Sequence, residues 1–342
     1  MKEPTASAIP ALQDGVSEPG LTMQITYKLR LRDTHTAELY RQARAVNFVW
    51  NYINQAQRRT WQESRRFLSR FALQRFTAGT SQELGLHAHT IQQVCRAYTE
   101  ARRTHRKTYL RWRGRRSLGW VPFSTGHVTF DGEAFTFRGA RYRTMHLREI
   151  PVGAVLGAGS FNADARGRWY LNVPVEVPEA TSASVSQVGI DLGLKDLAAL
   201  STGEKIVAPC FYRASEAALG TAQRARKTKR ARAIHAKVAN RRKDFLHKES
   251  LKIVKTHGVV VVGNVSASKF ARTTMAKSVL DAGWSSFRDM LRYKSRLRGG
   301  GVCLEVNESG STQTCSACGA KPPSRPRGIA GLRERVWTCS DC

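Results

Sequence analysis

The stretch that decides the fold of the C-terminal half is residues 187–200, QVGIDLGLKDLAAL. Its first five residues predict a buried strand that ends on a carboxylate, Asp191, and Leu192-Gly193 then lets the backbone turn away. Residues 197–201 and 205–208 alternate around the turn signal Thr202-Gly203, which predicts a three-stranded meander. A carboxylate at the end of a central strand can face a cleft, although an aspartate that caps a turn explains this residue equally well on its own.

The segments after the meander complete a familiar order of elements. Residues 214–257 predict one or two long helices, and the four valines at 259–262 predict a fully buried central strand. Residues 275–297 predict a further helix, and VCLEV at 302–306 predicts a fifth strand. The order βββ-α-β-α-β is typical of an α/β fold of the RNase H-like class, with the strands lying in the order 3-2-1-4-5.

In the N-terminal half the spacing of apolar residues predicts a different set of elements. Residues 23–32 predict a strand, and 36–70 and 90–112 predict two helices. Short alternating stretches follow at 128–130, 135–137, a segment ending at 150, 159–163 and 169–175. We expect a small β-barrel or sheet from residues 23–35 and 117–180 that carries a helical insert, 36–116. The polar stretch 179–186 is the predicted domain boundary, and residues 1–22 are expected to be a disordered leader.

Four cysteines follow the pattern Cys315-x2-Cys318-x20-Cys339-x2-Cys342. Two such pairs about twenty residues apart form a structural zinc signature, because each pair lets two thiolates reach neighbouring corners of one tetrahedron. Four unpaired thiols or two disulfides are the alternatives. The other three cysteines stand alone, which suits a reducing, intracellular setting.

The charge of the chain indicates a polyanionic partner. Its 56 Lys and Arg residues against 26 Asp and Glu give a formal net charge of +30. Such an excess destabilises a compact fold by self-repulsion unless a polyanion neutralises it, and nucleic acid is the most direct candidate. A merely solvated basic surface is the alternative. The sequence has no apolar run of about 18 residues and no signal peptide, so we expect a cytoplasmic, nucleoid-associated protein without a membrane partner.

Five motifs resemble one protein family. They are VGIDLGLKDLAA (188–199), VANRRKDFLHKES (238–250), AKSVLDAGWSSF (276–287), Tyr293-Lys294 and STQTCSACG (311–319). Over about residues 23–342 the chain resembles TnpB, also called OrfB, the insertion-sequence protein related to the type V CRISPR effectors. The resemblance implies an RNA-guided DNA endonuclease whose partners are a guide RNA and double- and single-stranded DNA.

The resemblance also implies the domains and the metal sites. A wedge-type barrel with a helical recognition insert would bind the RNA, and a RuvC nuclease domain at 187–308 would cut DNA with Mg²⁺. Asp191 corresponds to the family's first RuvC aspartate, and the four cysteines correspond to its zinc-binding insert, here 309–342.

One departure from the family pattern concerns the second carboxylate. In the commonest members the strand at 259–262 ends in Glu-Asp-Leu, but here Gly263-Asn264-Val265 follows. Glu308 resembles the alternative glutamate of a rearranged branch. Strand five lies about 4.8 Å beyond strand four, and a glycine at 263 leaves space between Glu308 and Asp191, so the two are expected to be the catalytic, magnesium-binding carboxylates. An ordinary exposed loop carboxylate is the alternative for Glu308.

A second departure concerns the third carboxylate. The family continues after the fourth cysteine with a stretch that supplies a third metal-binding aspartate, whereas this sequence stops at Cys342. Asp341 lies inside a C-x2-C turn and is not expected to reach the ions. The sequence therefore favours either a truncated nuclease with impaired cleavage or a non-cleaving RNA-guided DNA-binding protein that acts as a repressor.

Two basic segments are the expected nucleic-acid surface. Residues 220–255 hold 13 Lys or Arg against two acidic residues, and 111–116 (RWRGRR) alternates cations with an aromatic ring. The predicted contacts are Arg111, Trp112, Arg113, Arg115, Arg116, Arg224, Arg226, Lys227, Lys229, Arg230, Arg241, Arg242 and Lys243. Trp120 fits base stacking or a place in the barrel core equally well. Asn47 and Asn51 could be polar core or DNA contacts, and the oligomeric state stays open.

Overall fold

The structure is a computed structural model that describes residues 22–146, 150, 154–180, 184–265, 270, 275–308, 310–327, 331, 334 and 336–342. The predicted leader, apart from Thr22, lies outside the described residues, and so do residues 148 and 149 of the strand predicted to end at 150. The chain divides into two compact units, Met1–Pro178 and Glu179–Cys342.

The first unit contains two antiparallel sheets. Its strands are β1 (Thr22–Arg30), β2 (Trp120–Phe123), β3 (Val128–Phe130), β4 (Phe135–Phe137), β5 (Ala140–Tyr142), β6 (Gly159–Ala163) and β7 (Trp169–Pro178). One sheet has the order β1-β7-β6-β2 and the other β3-β4-β5. Phe161 of β6 lies 5.3 Å from the ring of Phe137 and 4.9 Å from that of Tyr142, so an aromatic core joins the two sheets. The end of β1 also joins the two sheets, because the backbone N–H of Arg32 donates to the carbonyl oxygen of Arg143 at 2.9 Å and that of Met145 donates to the oxygen of Arg30 at 2.7 Å. The wedge-type barrel itself stays a prediction.

Three helices complete the first unit: α1 (Thr36–Ser64), α2 (Arg70–Phe76) and α3 (Ala88–Thr104). They share a core in which Val46, Ile53 and Val94 are fully buried. The first helix is shorter than the predicted 36–70, because Arg65 adopts a left-handed conformation (φ 55°) that ends it. Ser69 then accepts a hydrogen bond from the backbone N–H of Ala72 and caps α2, a helix that the sequence pattern did not predict.

The second unit is a five-stranded mixed sheet covered by helices. Its elements are β8 (Gln187–Leu192), β9 (Asp196–Leu200), β10 (Lys205–Val207), α4 (Glu216–Arg224), α5 (Thr228–Thr256), β11 (Val259–Gly263), α6 (Ala276–Ala282), α7 (Trp284–Arg298) and β12 (Val302–Val306). The sheet order is β10-β9-β8-β11-β12, which is the predicted order 3-2-1-4-5. β8 and β9 pair antiparallel, whereas β11 pairs parallel with both β8 and β12. The helix predicted at 275–297 is divided by Gly283, whose φ of 71° ends α6.

The core of the second unit fixes the helices against the sheet. Val260 and Val262 of β11 are fully buried and belong to the same cluster as Leu246 of α5 and Phe287 of α7. Within the described residues, no helix is both long and apolar enough to cross a membrane.

Candidate functional site

Asp191 and Glu308 lie at the same edge of the five-stranded sheet. In the parallel pairing, Val262 of β11 lies opposite Ile190, one residue before Asp191. On the other side, Gly263 lies opposite Val306 of β12, two residues before Glu308. The carboxyl ends of three neighbouring parallel strands therefore bring the two acids to either side of Gly263.

The carboxylate of Glu308 lies where a side chain at position 263 would otherwise be. A Cβ placed on Gly263 would lie 1.5 Å from Glu308 Oε1 and 1.8 Å from its Cδ. Any other residue at 263 would therefore displace the carboxylate. The absence of a side chain at the end of β11 is a geometric requirement for the position of Glu308.

The electrostatics of the pair indicate two neighbouring carboxylates. Burial raises the pKa of Glu308, the negative charge of Asp191 raises it further, and the nearby Arg288 guanidinium opposes both effects. Two neighbouring carboxylates repel each other when both are ionised, and this raises the pKa. A cation bound between them relieves that repulsion and stabilises the ionised form. This edge of the sheet thus has the donor chemistry for a hard divalent ion such as Mg²⁺.

The cation that acts on Glu308 is Arg288 of α7, whose side chain is only 14% exposed. Its Nη1 donates to the carbonyl oxygen of Gly263 at 3.4 Å and lies 3.8 Å from Glu305 Oε2. Among the described residues its buried Nε has no hydrogen-bond partner. The sequence did not single out Arg288, because one arginine among 56 basic residues carries no signal before the fold is known.

Among the described residues, the four C-terminal cysteines are the only cluster of three or more candidate metal ligands. Within that part of the chain, Asp191 and Glu308 therefore have no third acidic ligand beside them. The carboxylate of Asp341 instead accepts a hydrogen bond from the Ser340 hydroxyl at 3.2 Å. The backbone N–H of Asp341 donates to Cys339 Sγ at 3.4 Å, so Asp341 belongs to the cysteine cluster.

The four cysteine sulfurs are spaced as metal ligands. All lie within 4.8 Å of one another, with 3.6 Å between the sulfurs of Cys315 and Cys342 and 3.8 Å between those of Cys318 and Cys339. Four sulfurs bound to a tetrahedral ion at the zinc–sulfur distance of about 2.3 Å are about 3.8 Å apart, whereas disulfide sulfurs are about 2.0 Å apart. The arrangement excludes two disulfides and fits one tetrahedral ion.

The backbone around Cys315 prepares this arrangement. Gly319 adopts a φ of 71°, and its N–H donates to the carbonyl oxygen of Cys315 at 2.9 Å. The backbone N–H of Cys318 and then that of Ala317 lower the pKa of the Cys315 thiol, because they donate to the thiolate. The local turn therefore favours the form of cysteine that binds a metal.

Most of the predicted basic contacts on α4, on α5 and in the connection between them are exposed. Those residues are Arg224, Arg226, Lys227, Lys229, Arg230, Arg241 and Lys243. Arg242 is the exception, because it is half-buried and pairs with a carboxylate of the fold, and its contact with nucleic acid stays a prediction. Its Nη2 lies 2.6 Å from the carboxylate of Asp281, whose side chain is only 4% exposed, and the same carboxylate accepts the backbone N–H of Tyr212 at 2.8 Å. Arg242 compensates a buried charge within the fold.

Arg113 also has partners within the fold, and its contact with nucleic acid stays a prediction. Its Nε donates to Asn47 Oδ1 at 2.6 Å, and its guanidinium lies 5.5 Å from the ring centroids of both Trp50 and Trp120. Asn51 exchanges two 2.8 Å hydrogen bonds with the backbone of Arg113. Arg113 therefore connects the segment after α3 to α1, and the two asparagines are part of that polar core. Burial lowers the pKa of Arg113, as expected for an internal guanidinium.

The other members of the 111–116 segment differ from Arg113. Arg111, Trp112, Arg115 and Arg116 are exposed, and the Arg58 guanidinium lies 5.9 Å from the Trp112 ring. Trp120 packs edge-on against Trp50 with the ring centroids 6.3 Å apart, so it is part of the helical core.

Comparison with known proteins finds two family matches in the C-terminal half and one relative that covers most of the chain. Residues 170–274 match the OrfB_IS605 family, described as "Probable transposase", and residues 284–342 match the Cas12f1-like TNB domain. A "Putative RNA-guided DNA endonuclease" of Streptomyces pristinaespiralis is 29% identical over 350 residues, which cover 92% of this chain and 84% of that protein. The "Putative RNA-guided DNA endonuclease InsQ" of Escherichia coli (strain K12) is 30% identical over 183 residues, 45% of either chain.

The fold has a solved counterpart. The Cas12f1 chain in the cryo-EM structure of a Cas12f1–sgRNA–target DNA complex matches with a TM-score of 0.54 at 10% identity. The match covers 94% of this chain and 96% of that one. The two chains therefore share their fold at a low level of sequence identity.

Proposed function

Because the chain belongs to the TnpB (OrfB) family, we propose that it is an RNA-guided DNA endonuclease of transposon origin whose nuclease site contains Asp191 and Glu308. The observation that carries this proposal is the position of the Glu308 carboxylate above Gly263 and within electrostatic reach of Asp191. The name of the Streptomyces relative and the fold shared with Cas12f1 support the same activity.

Asp191 and Glu308 would hold Mg²⁺ through carboxylate oxygens. Bound there, Mg²⁺ would activate water and stabilise the leaving oxygen of a phosphodiester. Arg288 favours the ionised form of Glu308, because its positive charge lowers the pKa that burial and Asp191 raise. In this proposal Glu308 takes the place of the glutamate that the commonest family members have at the end of strand four, as the resemblance to the rearranged branch implies.

The cysteine cluster is proposed to hold one structural Zn²⁺. Its four thiolates have the spacing of a tetrahedral sulfur site, and a segment as short as 309–342 gains folding energy from such an ion. The exposed cations of α4, α5 and residues 111–116 are proposed to contact phosphates of a guide RNA and its DNA target. Such a duplex is recognised by backbone and shape rather than by base sequence.

A non-cleaving, RNA-guided DNA-binding protein is the second candidate. It is favoured by one observation: the described residues bring two carboxylates to the edge of the sheet, not three. Two anionic ligands hold Mg²⁺ less firmly than three, so this candidate predicts guided binding without strand cleavage.

The test uses the protein purified together with its RNA. Sequencing of the bound RNA should return a defined transcript, and the complex should cut matching DNA in the presence of Mg²⁺. Asp191→Asn and Glu308→Gln should each abolish cutting without loss of RNA. Asp289→Asn is the control, because Asp289 is an exposed acid on α7 that pairs only with Arg292 at 3.3 Å among the described residues. Random cellular RNA in the complex, or full activity of Asp191→Asn, would contradict the proposal.

A further inference from the structure

The helical part of the first unit contains a basic cavity that the proposed nuclease site does not use. It has a volume of about 610 Å³ and lies between the connection from α1 to α2 and the C-terminal half of α3. Six cations line it: Arg70, Arg96, Arg102, Arg103, Arg106 and Lys107. Glu100 is the only acid in the lining and is paired with Arg96 at 2.8 Å, so the cavity has a large positive excess.

The cations of this cavity fall into two groups. Arg102 is fixed within the fold, because its Nη1 donates to Gln57 Oε1 at 2.7 Å and its Nη2 donates to the carbonyl oxygen of Leu68 at 3.3 Å. In contrast, Arg103, Arg106 and Lys107 are exposed and form no ion pair with a carboxylate among the described residues. Three adjacent cations without counter-charge repel one another, and phosphate groups would relieve that repulsion.

An aromatic ring lies beside these cations. Phe67 lines the cavity, yet its ring remains 54% exposed. It stacks on Trp61 with 4.6 Å between centroids and 24° between planes, and the Arg102 guanidinium lies 4.3 Å from the Phe67 centroid. The hydrogen bonds of Arg102 and the stacking of Trp61 hold the ring in place. An ordered but exposed aromatic and guanidinium layer is the type of surface on which unpaired bases stack.

The dimensions of the cavity select the form of the nucleic acid. A concavity of a few hundred cubic ångströms accommodates a single small ligand. A base in a duplex has its faces covered by its neighbours and its edge occupied by its partner, so it cannot enter. A base splayed out of a single strand, a loop or a strand end can enter, with its phosphates left at the rim.

We therefore propose that the cavity between residues 67–70 and 96–107 binds one unpaired nucleotide, with the base against Phe67 and Arg102 and the phosphates near Arg103, Arg106 and Lys107. This inference rests on the proposed function in one respect, namely that the nucleotide belongs to the guide RNA or to a single-stranded part of its DNA target. The family resemblance implies that the insert 36–116 binds RNA, and the proposal specifies that function by giving this cavity one unpaired nucleotide.

The experiment measures the affinity of the full chain, cleared of co-purified RNA, for a 12-mer uridine RNA, a 12-mer thymidine DNA and a 12-base-pair DNA duplex at physiological salt. Phe67→Ala should weaken single-strand binding by about tenfold, the effect of losing one base stack, and leave duplex binding unchanged. Phe48→Ala is the matched control, because Phe48 is a similarly exposed phenylalanine (60%) of the same unit that does not line the cavity. A larger loss for RNA would assign the nucleotide to the guide, and a larger loss for thymidine DNA would assign it to the target.

A single-strand affinity that is unchanged in Phe67→Ala would overturn the proposal. So would an equal loss for the duplex, because that result indicates a general defect of the basic surface. Thermal unfolding of each variant confirms that the fold is intact, and Phe67→Trp should retain the affinity because it keeps the aromatic face. Guided cleavage by the RNA complex tests the nuclease site in a separate assay, so the cavity and the proposed function can fail separately.

Discussion

Replacement of Gly263 by alanine should separate the activity of this protein from its stability. A Cβ at 263 would lie 1.5 Å from Glu308 Oε1, whereas non-bonded carbon and oxygen atoms need about 3.5 Å. The carboxylate must therefore move by about 2 Å. Since a displacement of about 1 Å can already reduce a rate about a hundredfold, we expect a loss of at least that size in guided cleavage by Gly263→Ala.

The same substitution should not destabilise the fold. Gly263 is absent from the glycines with positive φ, so alanine can adopt its backbone conformation. Alanine in a strand is favoured over glycine by about 0.5–1 kcal/mol, and Glu308 can turn its half-buried carboxylate into solvent. The melting temperature should thus stay constant or rise slightly.

The assay compares single-turnover cleavage, Mn²⁺ binding and thermal unfolding in the RNA complex. Gly189→Ala on the neighbouring strand is the control, because a Cβ there meets only ordinary contacts, the nearest being Ser201 Cβ at 3.7 Å. Gly263→Ala should lose cleavage and bind Mn²⁺ more weakly, and Gly189→Ala should change neither. Cleavage and Mn²⁺ binding at the original level in Gly263→Ala would refute the placement of Glu308 at the metal.

Three further predictions concern the cysteines, the pH profile and the basic residues. Elemental analysis should find about one zinc per chain, and Cys318→Ser should lose it and melt at a lower temperature; zinc-free protein of the same stability would contradict the assignment. Arg288→Met should raise the pKa of Glu308 further, so protons compete with the metal up to a higher pH. At limiting Mg²⁺, the acid limb of the pH profile of the cleavage rate should therefore shift to higher pH. An unchanged acid limb would show that Arg288 does not act on Glu308. Arg113→Ala should lower stability by about 1–3 kcal/mol in chemical unfolding, because Asn47 loses its donor. Arg115→Ala should keep stability and reduce the salt dependence of RNA binding by about one phosphate contact. The reverse pattern would identify Arg113, and not Arg115, as the nucleic-acid contact.

The sequence was sufficient to predict the arrangement of the second unit. Hydrophobic period and length identify a buried strand such as the valine run at 259–262, and the order of elements then implies the sheet order. The closeness of Glu308 to Gly263 follows from the same order, because residues after adjacent parallel strands meet at one edge. Cysteine spacing likewise predicts the sulfur cluster, since the ligands of each pair are local in sequence.

The sequence was less informative where tertiary contacts decide the outcome. Charge patterns count cations but do not reveal their partners, so Arg113 and Arg242 could not be told from their exposed neighbours before Asn47 and Asp281 were placed. Helix ends were missed for a related reason. The left-handed conformation of Arg65 is not one that the sequence favours, and packing of the helical core overrides that preference.

The most direct test of the central claim is a change of guide. The guide segment of the co-purified RNA is replaced by an unrelated sequence, and the cut sites on a plasmid that carries both the old and the new target are mapped in the presence of Mg²⁺. We predict that cleavage moves to the new target, requires the matching guide and disappears in Asp191→Asn. Cleavage that ignores the guide would contradict RNA guidance, and guide-dependent binding without any cleavage would contradict the nuclease and establish the non-cleaving alternative.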